Sequence, residues 1–466
     1  MSESKKSSFR GSLGFVLAAA GSAVGLGNIW RFPYLAAKDG GGIFMIVYLV
    51  LSVTFGFSIL ATEIAIGRKT KCSPLTAYKA LSRKWGWLGV ISSIIPIVLI
   101  SYYVVIGGWV VKYFIAFLTG NGDLCAGDTF FYEFTSGIAE PLIYMIIFAV
   151  TGAVVVIMGV NNGIEKASKI LMPALFLLII GITVYSLTIK NTNPDGTVVT
   201  GLQGLKEFIV TDFRDMTLQR AFQIVMDAIG QLFFSLGVAA GIMITYGSYV
   251  PDKTNLASSV SKIEICDTLV AFLAGIMIVP SIYVFSGKEG MSQGASLMFV
   301  SLPKIFMKMG SAGNVMGALF FGMVFFAAIT SSVSLHETIV ATSIDGLGMS
   351  RRKGTILSTL IFIAAGAVIC LGFNVLKFDV HLPNGDHGSI LECADYMVSQ
   401  IGMPVLAILT AILIGWVVKP EFITAEVTKN GEKFYRAKLY CFMVKYLAPL
   451  LLIILFLLSN GIIPMP

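Results

Sequence analysis

Apolar residues run through this 466-residue chain in long blocks, separated by short polar stretches. The blocks fall near 13–37, 42–66, 88–117, 141–159, 167–189, 221–247, 262–286, 315–344, 356–373, 393–418 and 438–463. A spanning helix needs about 20 residues, and a tilted or broken one needs more. The pattern therefore predicts an all-α integral membrane protein with eleven transmembrane helices. Few polar residues interrupt the blocks, and those few carry the functional information.

The first block is spoiled in an orderly way. Leu13 to Ala23 is apolar, but Gly25-Leu26-Gly27-Asn28 follows, then Arg31 and Pro33. Non-helical backbone survives at bilayer depth only where it lines a polar cavity or binds something. A helix broken there offers carbonyls to a cation and amides to an anion. A glycine-lined packing face is the plainer alternative, because small residues let helices approach closely. Packing accounts for the glycines but not for Asn28 and Arg31, so the segment reads as a binding site.

The sixth block is interrupted too, by Gln231, Ser235, Gly237 and Gly241. Blocks one and six open two halves of five helices each. Five is odd, so the second half enters the membrane from the opposite side. Paired discontinuous helices in inverted repeats point to the midplane site of a secondary transporter. The two halves share no obvious sequence identity, so the repeat rests on topology and the paired breaks. The expected organisation is a cytoplasmic segment 1–12, a first repeat 13–190, an outer loop 191–220, a second repeat 221–418, an inner loop 419–437, and a last helix with a short external tail, 438–466.

Composition supports this and excludes other classes. The chain is 56% apolar and 13% charged, with mean hydropathy +0.85, which leaves no room for a sizeable soluble domain. Lys5, Lys6 and Arg10, the run from Arg68 to Lys84, Arg351 to Lys353, and Lys419 to Lys438 hold most of its 33 Lys and Arg. They share one side if the N-terminus is cytoplasmic, which puts the C-terminus outside a plasma (inner) membrane. The net charge of +7 follows from that bias and implies no nucleic-acid partner. No cleavable signal peptide is expected, because the first helix carries the informative motif. No nucleotide-binding P-loop occurs, and no obligatory protein partner is evident. Six cysteines show no metal spacing; Cys125 and Cys393 near outer loops are either a pair or two free thiols, the latter being the plainer reading. Three histidines are too few and scattered for a metal site.

Other polar residues face the breaks. Ala327, Thr330, Ser331 and Leu335 share one helical face, and two hydroxyls with a carbonyl suit a hard cation. Taken alone, the hydroxyls fit ordinary bonding to their own helix better than a cation site. Leu99 and Tyr103 form an i, i+4 pair whose phenol can reach a carboxylate. Glu63 and Asp267 are intramembrane carboxylates, functional by default. His336 and Glu337 project off the Thr330/Ser331 face and read as a packing pair.

These motifs together resemble a known family. GSAVGLGNIWRFPY with DGGGIF, GQLFFSLG, FFAAITSS, TEIAIGR and the Tyr102-Tyr103 pair closely resemble the signatures of the neurotransmitter:sodium symporters, including bacterial amino-acid transporters. The resemblance covers almost the whole chain. That family usually has twelve spans, whereas this chain ends after eleven, as some bacterial members do.

The resemblance implies roles residue by residue. One sodium would meet Ala23, Asn28, Ser235, Asp267 and the substrate carboxylate. A second would meet Gly21, Val24, Ala327, Thr330 and Ser331. The substrate would lie among Ala23, Leu26, Gly27, Leu99, Tyr103, Phe234, Ser235, Gly237, Ala240, Ser331 and Leu335, with Phe234 as a lid. Arg31 and Asp395 would form the outer gate, and Lys6 and Asp345 the inner one. Lys6 replaces the usual arginine, keeping charge but losing the bidentate fork. Gly163 and Pro173 resemble the motif that lets the inner part of helix 5 unwind.

Three departures matter: Asp39 in place of asparagine, with no interpretation from sequence; Asp267 with Ala271, where chloride-dependent members have asparagine and serine; and Gly237 with Ala240, where bulkier residues are common. The leading expectation is a non-enzymatic sodium symporter for a bulky neutral amino acid, needing no chloride or nucleotide. An amino-acid sensor of the same fold would carry an added cytoplasmic domain or lack gates. A channel is disfavoured by asymmetric broken helices around a capped pocket.

Overall fold

The computed structural model describes residues 8–192, 196–211, 216–287, 290, 296–385 and 387–463. Among them, nine helices are long and apolar enough to cross a membrane. They are helix 2 (Gly42–Thr70), 3 (Arg83–Leu118), 4 (Ala139–Ile157), 5 (Val160–Thr188), 7 (Leu256–Ser286), 8 (Gly310–Leu347), 9 (Arg351–Leu371), 10 (Ile390–Val418) and 11 (Ala437–Ser459). The first apolar block is two helices, 1a (Ser12–Ala23) and 1b (Gly27–Lys38), bent by 54°. The sixth block differs from a single span: helix 6a (Leu218–Ser235) and helix 6b (Ile242–Ser248) are separated by irregular backbone. The protein is an integral, multi-pass membrane protein.

Both breaks have local causes. In the first, Val24 leaves the helical ladder with ψ 98°, and the Asn28 side chain accepts the freed Gly25 N–H at 3.1 Å. In the second, Gly237, Ala239 and Gly241 all have positive φ, at 58°, 64° and 74°. Alanine rarely occupies that region. Here its N–H donates to the Glu63 carboxylate at 2.7 Å, so helix 2 holds the strained turn in place.

Glycines set which helices touch backbone to backbone. A Cβ on Gly67 would lie 2.0 Å from the Ile244 carbonyl, and one on Gly247 2.4 Å from that of Ile64. Helices 2 and 6b are thus packed as one unit through reciprocal glycines. Helix 8 packs along helix 3 and is the most buried of the nine, whereas helix 11 lies at the periphery.

The outer and inner loops contain regular structure. The outer one contains a hairpin, Lys190–Thr192 with Val198–Thr200, and an outer helix, Gly201–Ile209, started by a Thr200/Gln203 capping box. Phe208 of that helix is buried, and its carbonyl sits where a Cβ on Gly41 would be. The Gly40–Gly42 run is therefore a seat for the outer helix. The inner loop contains a short helix, Glu421–Val427. It is fastened to helix 2 by the buried ion pair of Arg68 Nε with Glu426 Oε1, at 2.7 Å.

Candidate functional site

The residues around the two breaks form one hydrogen-bonded cluster. Asp267 on helix 7 is fully buried. Its Oδ1 accepts from the Asn28 amide at 2.8 Å and the Ser235 hydroxyl at 2.7 Å. Its Oδ2 accepts from the Tyr48 hydroxyl at 3.2 Å. Ser235 also lies 3.2 Å from Asn28 Oδ1. Three helices thereby bring the expected side chains of the first sodium site together. The donor set, a carboxylate, an amide oxygen and a hydroxyl, fits a hard cation with oxygen preference.

Tyr48 was missed by sequence reasoning. A tyrosine within an apolar block passes for packing, and only its polar end distinguishes it. The Gln231 amide donates to the Gly27 carbonyl at 3.1 Å, tying the two breaks together directly.

The second expected cation group also converges. Ser331 Oγ lies 3.0 Å from the Ser22 carbonyl, 3.5 Å from that of Gly21 and 3.2 Å from that of Ala327. Thr330 bonds only within helix 8, to Phe326 and Ala327, both at 3.0 Å. A Cβ on Gly21 would lie 3.3 Å from that of Thr330, so helices 1a and 8 meet here. Val24 sits at the break beside them. Bonding within one helix describes Thr330 alone, since Ser331 crosses to helix 1.

A cavity of about 590 Å³ opens above these groups. All eleven residues expected at the substrate line its wall: Ala23, Leu26, Gly27, Leu99, Tyr103, Phe234, Ser235, Gly237, Ala240, Ser331 and Leu335. The Tyr103 hydroxyl is buried, with Ser331 and the Leu26 backbone as its polar neighbours but no hydrogen bond of good geometry. It lies 3.5 Å from where a Gly25 Cβ would sit, and Ser331 Oγ lies 3.1 Å from the same point. A buried hydroxyl facing a glycine-lined helix break is arranged to meet an acceptor. A Gly27 Cβ would be 2.7 Å from the Phe234 ring, so a side chain at position 27 would displace that ring.

The residues expected as gates have the following contacts. Arg31 and Asp395 line the same cavity, but no ion pair within 4.0 Å joins them. Asp395 Oδ1 instead accepts from Tyr102 and Ser399, each at 2.8 Å. Arg31 stacks over Phe234. Each of the two charged residues therefore has a different partner in this structure. At the inner side the Ser73 N–H donates to Asp345 at 2.6 Å; Lys6 lies outside the described residues. Helix 5 is wound through both Gly163 and Pro173. Gly163 has a packing role as well, since its Cβ would meet the Val155 carbonyl at 1.9 Å.

The remaining polar residues are accounted for separately. His336 and Glu337 do not bond each other. His336 meets Ser358 at 2.8 Å, whereas Glu337 takes Arg351 at 2.6 and 2.7 Å and Tyr249 at 2.7 Å. Successive helical residues point some 100° apart, so each reaches a different neighbour. All six cysteines are free. Asp39 is buried, with Arg220 Nη2 at 3.5 Å and the Asp227 carboxyl beside it.

Broken helices, a carboxylate–amide–hydroxyl cluster and a glycine-lined pocket define an ion-coupled secondary transporter. The chain belongs to the sodium:neurotransmitter symporter family, whose model matches residues 6–126 and 132–465. It is similar to the sodium-dependent transporter YhdH of Bacillus subtilis, at 34% identity over 99% of this chain and all of that one. Human sodium- and chloride-dependent GABA transporter 2 is 26% identical, over 86% of this chain and 71% of that protein. The crystal structure of MhsT in complex with L-phenylalanine is similar at TM-score 0.82 and 32% identity, covering 97% of this chain and all of that one. The protein is a sodium-dependent transporter and not an enzyme.

Proposed function

We propose that the protein imports a neutral, bulky hydrophobic or aromatic amino acid together with two sodium ions, by alternating access and without chloride. The observation that carries this is the buried Tyr103 hydroxyl, held at the helix 1 break beside Ser331 and the Leu26 backbone, on the same cavity wall as Ser235 of the Asn28–Ser235–Asp267 cluster. A carboxylate placed there meets Tyr103 and the amide end of helix 1b. Gly237 and Ala240 leave room for the side chain. Glu63 is engaged by the Ala239 N–H behind this turn and does not line the cavity, so a charged side chain placed against Gly237 and Ala240 would be buried without a partner of its own. A similar protein solved with L-phenylalanine supports the same class.

The full reading has eleven spans in two inverted halves, with 6a and 6b as one interrupted span and the basic loops in the cytoplasm. The first half ends at residue 190 and the second runs from 221 to 418. Helices 1, 2, 6 and 7 rock against the rest; the reciprocal glycines of helices 2 and 6b support their moving together. The first sodium takes Ala23, Asn28, Ser235 and Asp267, and the second takes Gly21, Val24, Ala327, Thr330 and Ser331. Arg31 with Asp395, and Lys6 with Asp345, close the two sides in turn. Unwinding of helix 5 between Gly163 and Pro173 opens the inner route to the second ion.

The test is uptake of labelled tryptophan, phenylalanine and alanine into proteoliposomes, with an imposed sodium gradient and with choline in its place. Sodium-driven accumulation of the aromatic substrates is expected. Binding without accumulation or counterflow would instead identify a sensor.

A further inference from the structure

Helices 10 and 11 part near the end that carries the basic 419–437 loop, leaving a groove of about 490 Å³. It is remote from the substrate cavity and shares no residue with it. Lys419 and Lys445 line it beside Trp416, Phe442 and Tyr446. Lys445 is half-buried, yet among the described residues no carboxylate lies within 4.0 Å of it or of Lys419. Its ammonium instead stands over Trp416 at 5.2 Å and Tyr446 at 5.5 Å. The three aromatic side chains are about half exposed, as aromatic residues at a membrane interface are. Glu421 also lines the groove and is the one acid that opposes an anion there.

The groove is held open by the backbone. Pro449 has no N–H to return to the Lys445 carbonyl four residues earlier. The Trp416 indole supplies the missing donor, at 3.0 Å. Gly415 permits the close approach, since its Cβ would be 3.0 Å from the Val444 carbonyl. At the mouth, Lys419 has φ 75°, a strained conformation for a residue with a side chain. A lysine in a helix facing lipid is costly unless its charge meets a counter-charge. Cations framed by interfacial aromatics between two helices match an anionic lipid headgroup.

We propose that this groove binds the headgroup of one anionic phospholipid, its phosphate meeting Lys419 and Lys445 and its acyl chains lying along the aromatic faces. The site joins helix 10, which carries Asp395, to helix 11, and does not depend on which amino acid is transported.

The full-length protein, delipidated in detergent, is titrated with phosphatidylglycerol or phosphatidylcholine and examined by native mass spectrometry. Wild type is expected to hold one phosphatidylglycerol in preference to phosphatidylcholine. Lys419→Gln with Lys445→Gln should lower that occupancy roughly tenfold or more, and Lys419→Arg with Lys445→Arg should restore it. Sodium-dependent substrate binding, measured on the same samples, should stay unchanged and shows that each variant is folded. Equal retention of the two lipids by wild type overturns the proposal. So does undiminished occupancy in the glutamine variant, or displacement of the lipid by millimolar inorganic phosphate, which would make the site one for free anions.

Discussion

The guanidinium of Arg31 stands 5.4 Å from the centre of the Phe234 ring, so the expected outer-gate cation rests on the pocket's own lid. A cation over an aromatic face is worth about 0.5–2 kcal/mol, depending on desolvation. In this structure Arg31 meets the ring, and in the proposed outward closure it would meet Asp395 instead.

Arg31→Ala should leave substrate binding partly intact and reduce transport at least tenfold. The alanine removes both the ring contact and the closing charge, and leaves Asp395 without its gate partner. Binding by scintillation proximity and uptake by the same preparation separate the two effects. Uptake equal to wild type would contradict the gate assignment.

Replacing chloride with gluconate should not change initial uptake rates. In the proposed first ion site the Asp267 carboxylate would itself supply the negative charge, and Ala271, one helical turn further on, offers no hydroxyl. Asp267→Asn should raise the sodium concentration for half-maximal uptake about tenfold, the loss of one charge-assisted contact. A collapse of wild-type uptake in gluconate would overturn this account of helix 7.

Substrate preference should follow the space beside Gly237 and Ala240. Wild type is expected to favour tryptophan, phenylalanine or tyrosine over alanine and glycine, because an unfilled apolar void forfeits contacts. Ala240→Phe should reverse that order in a competition screen against one labelled substrate. Glycine or alanine outcompeting every aromatic in the wild type would defeat the volume argument while leaving the transporter assignment intact.

Asp39 makes stability depend on pH. Burial first, then the neighbouring Asp227 charge, pushes its carboxyl up from 3.8 to about 7. Between those values the folded protein holds a proton that the unfolded chain has released, so stability falls as pH rises. Below the lower value the penalty is absent; above the higher one it is complete. Asp39→Asn should therefore stabilise the protein at pH 8 by about 1–2 kcal/mol and change little near pH 4. Thermal unfolding of both proteins across that range measures it, and equal curves would rule the group out.

Arg68→Ala should be severe. Arg68 and Glu426 are both buried, and the guanidinium also donates to the Thr254 carbonyl at 2.6 Å. Removing one member of a buried pair costs about 3–5 kcal/mol. A drop in the unfolding midpoint is expected, with partial recovery in Arg68→Met combined with Glu426→Leu.

Much of this architecture is legible in the linear chain because a bilayer demands continuous apolar stretches. The helix 1 break is legible for the same reason, since Gly25, Gly27 and Asn28 have no other business there. The length of the helix 6 interruption was hidden, because Ala239 gives no sign that it adopts a glycine-like conformation. Its support, Glu63, lies 176 residues away. Arg68 and Glu426, 358 residues apart, leave no local trace of their pairing. The outer helix did leave one, with Leu202, Leu205 and Phe208 spaced along a face, but within a polar loop it passed for a connection. The Arg31 contact depends on conformation, which sequence motifs do not encode.

A carrier must also make its journey unladen. A bare carboxylate in the membrane interior would hold the empty protein on whichever side offered it water. Here Asp267 is wrapped by Asn28, Ser235 and Tyr48, neutral donors drawn from three helices. In the proposed cycle those donors would shield the carboxylate on the empty return step, and Tyr48, which is outside the proposed ion ligands, would bear on how fast that step runs.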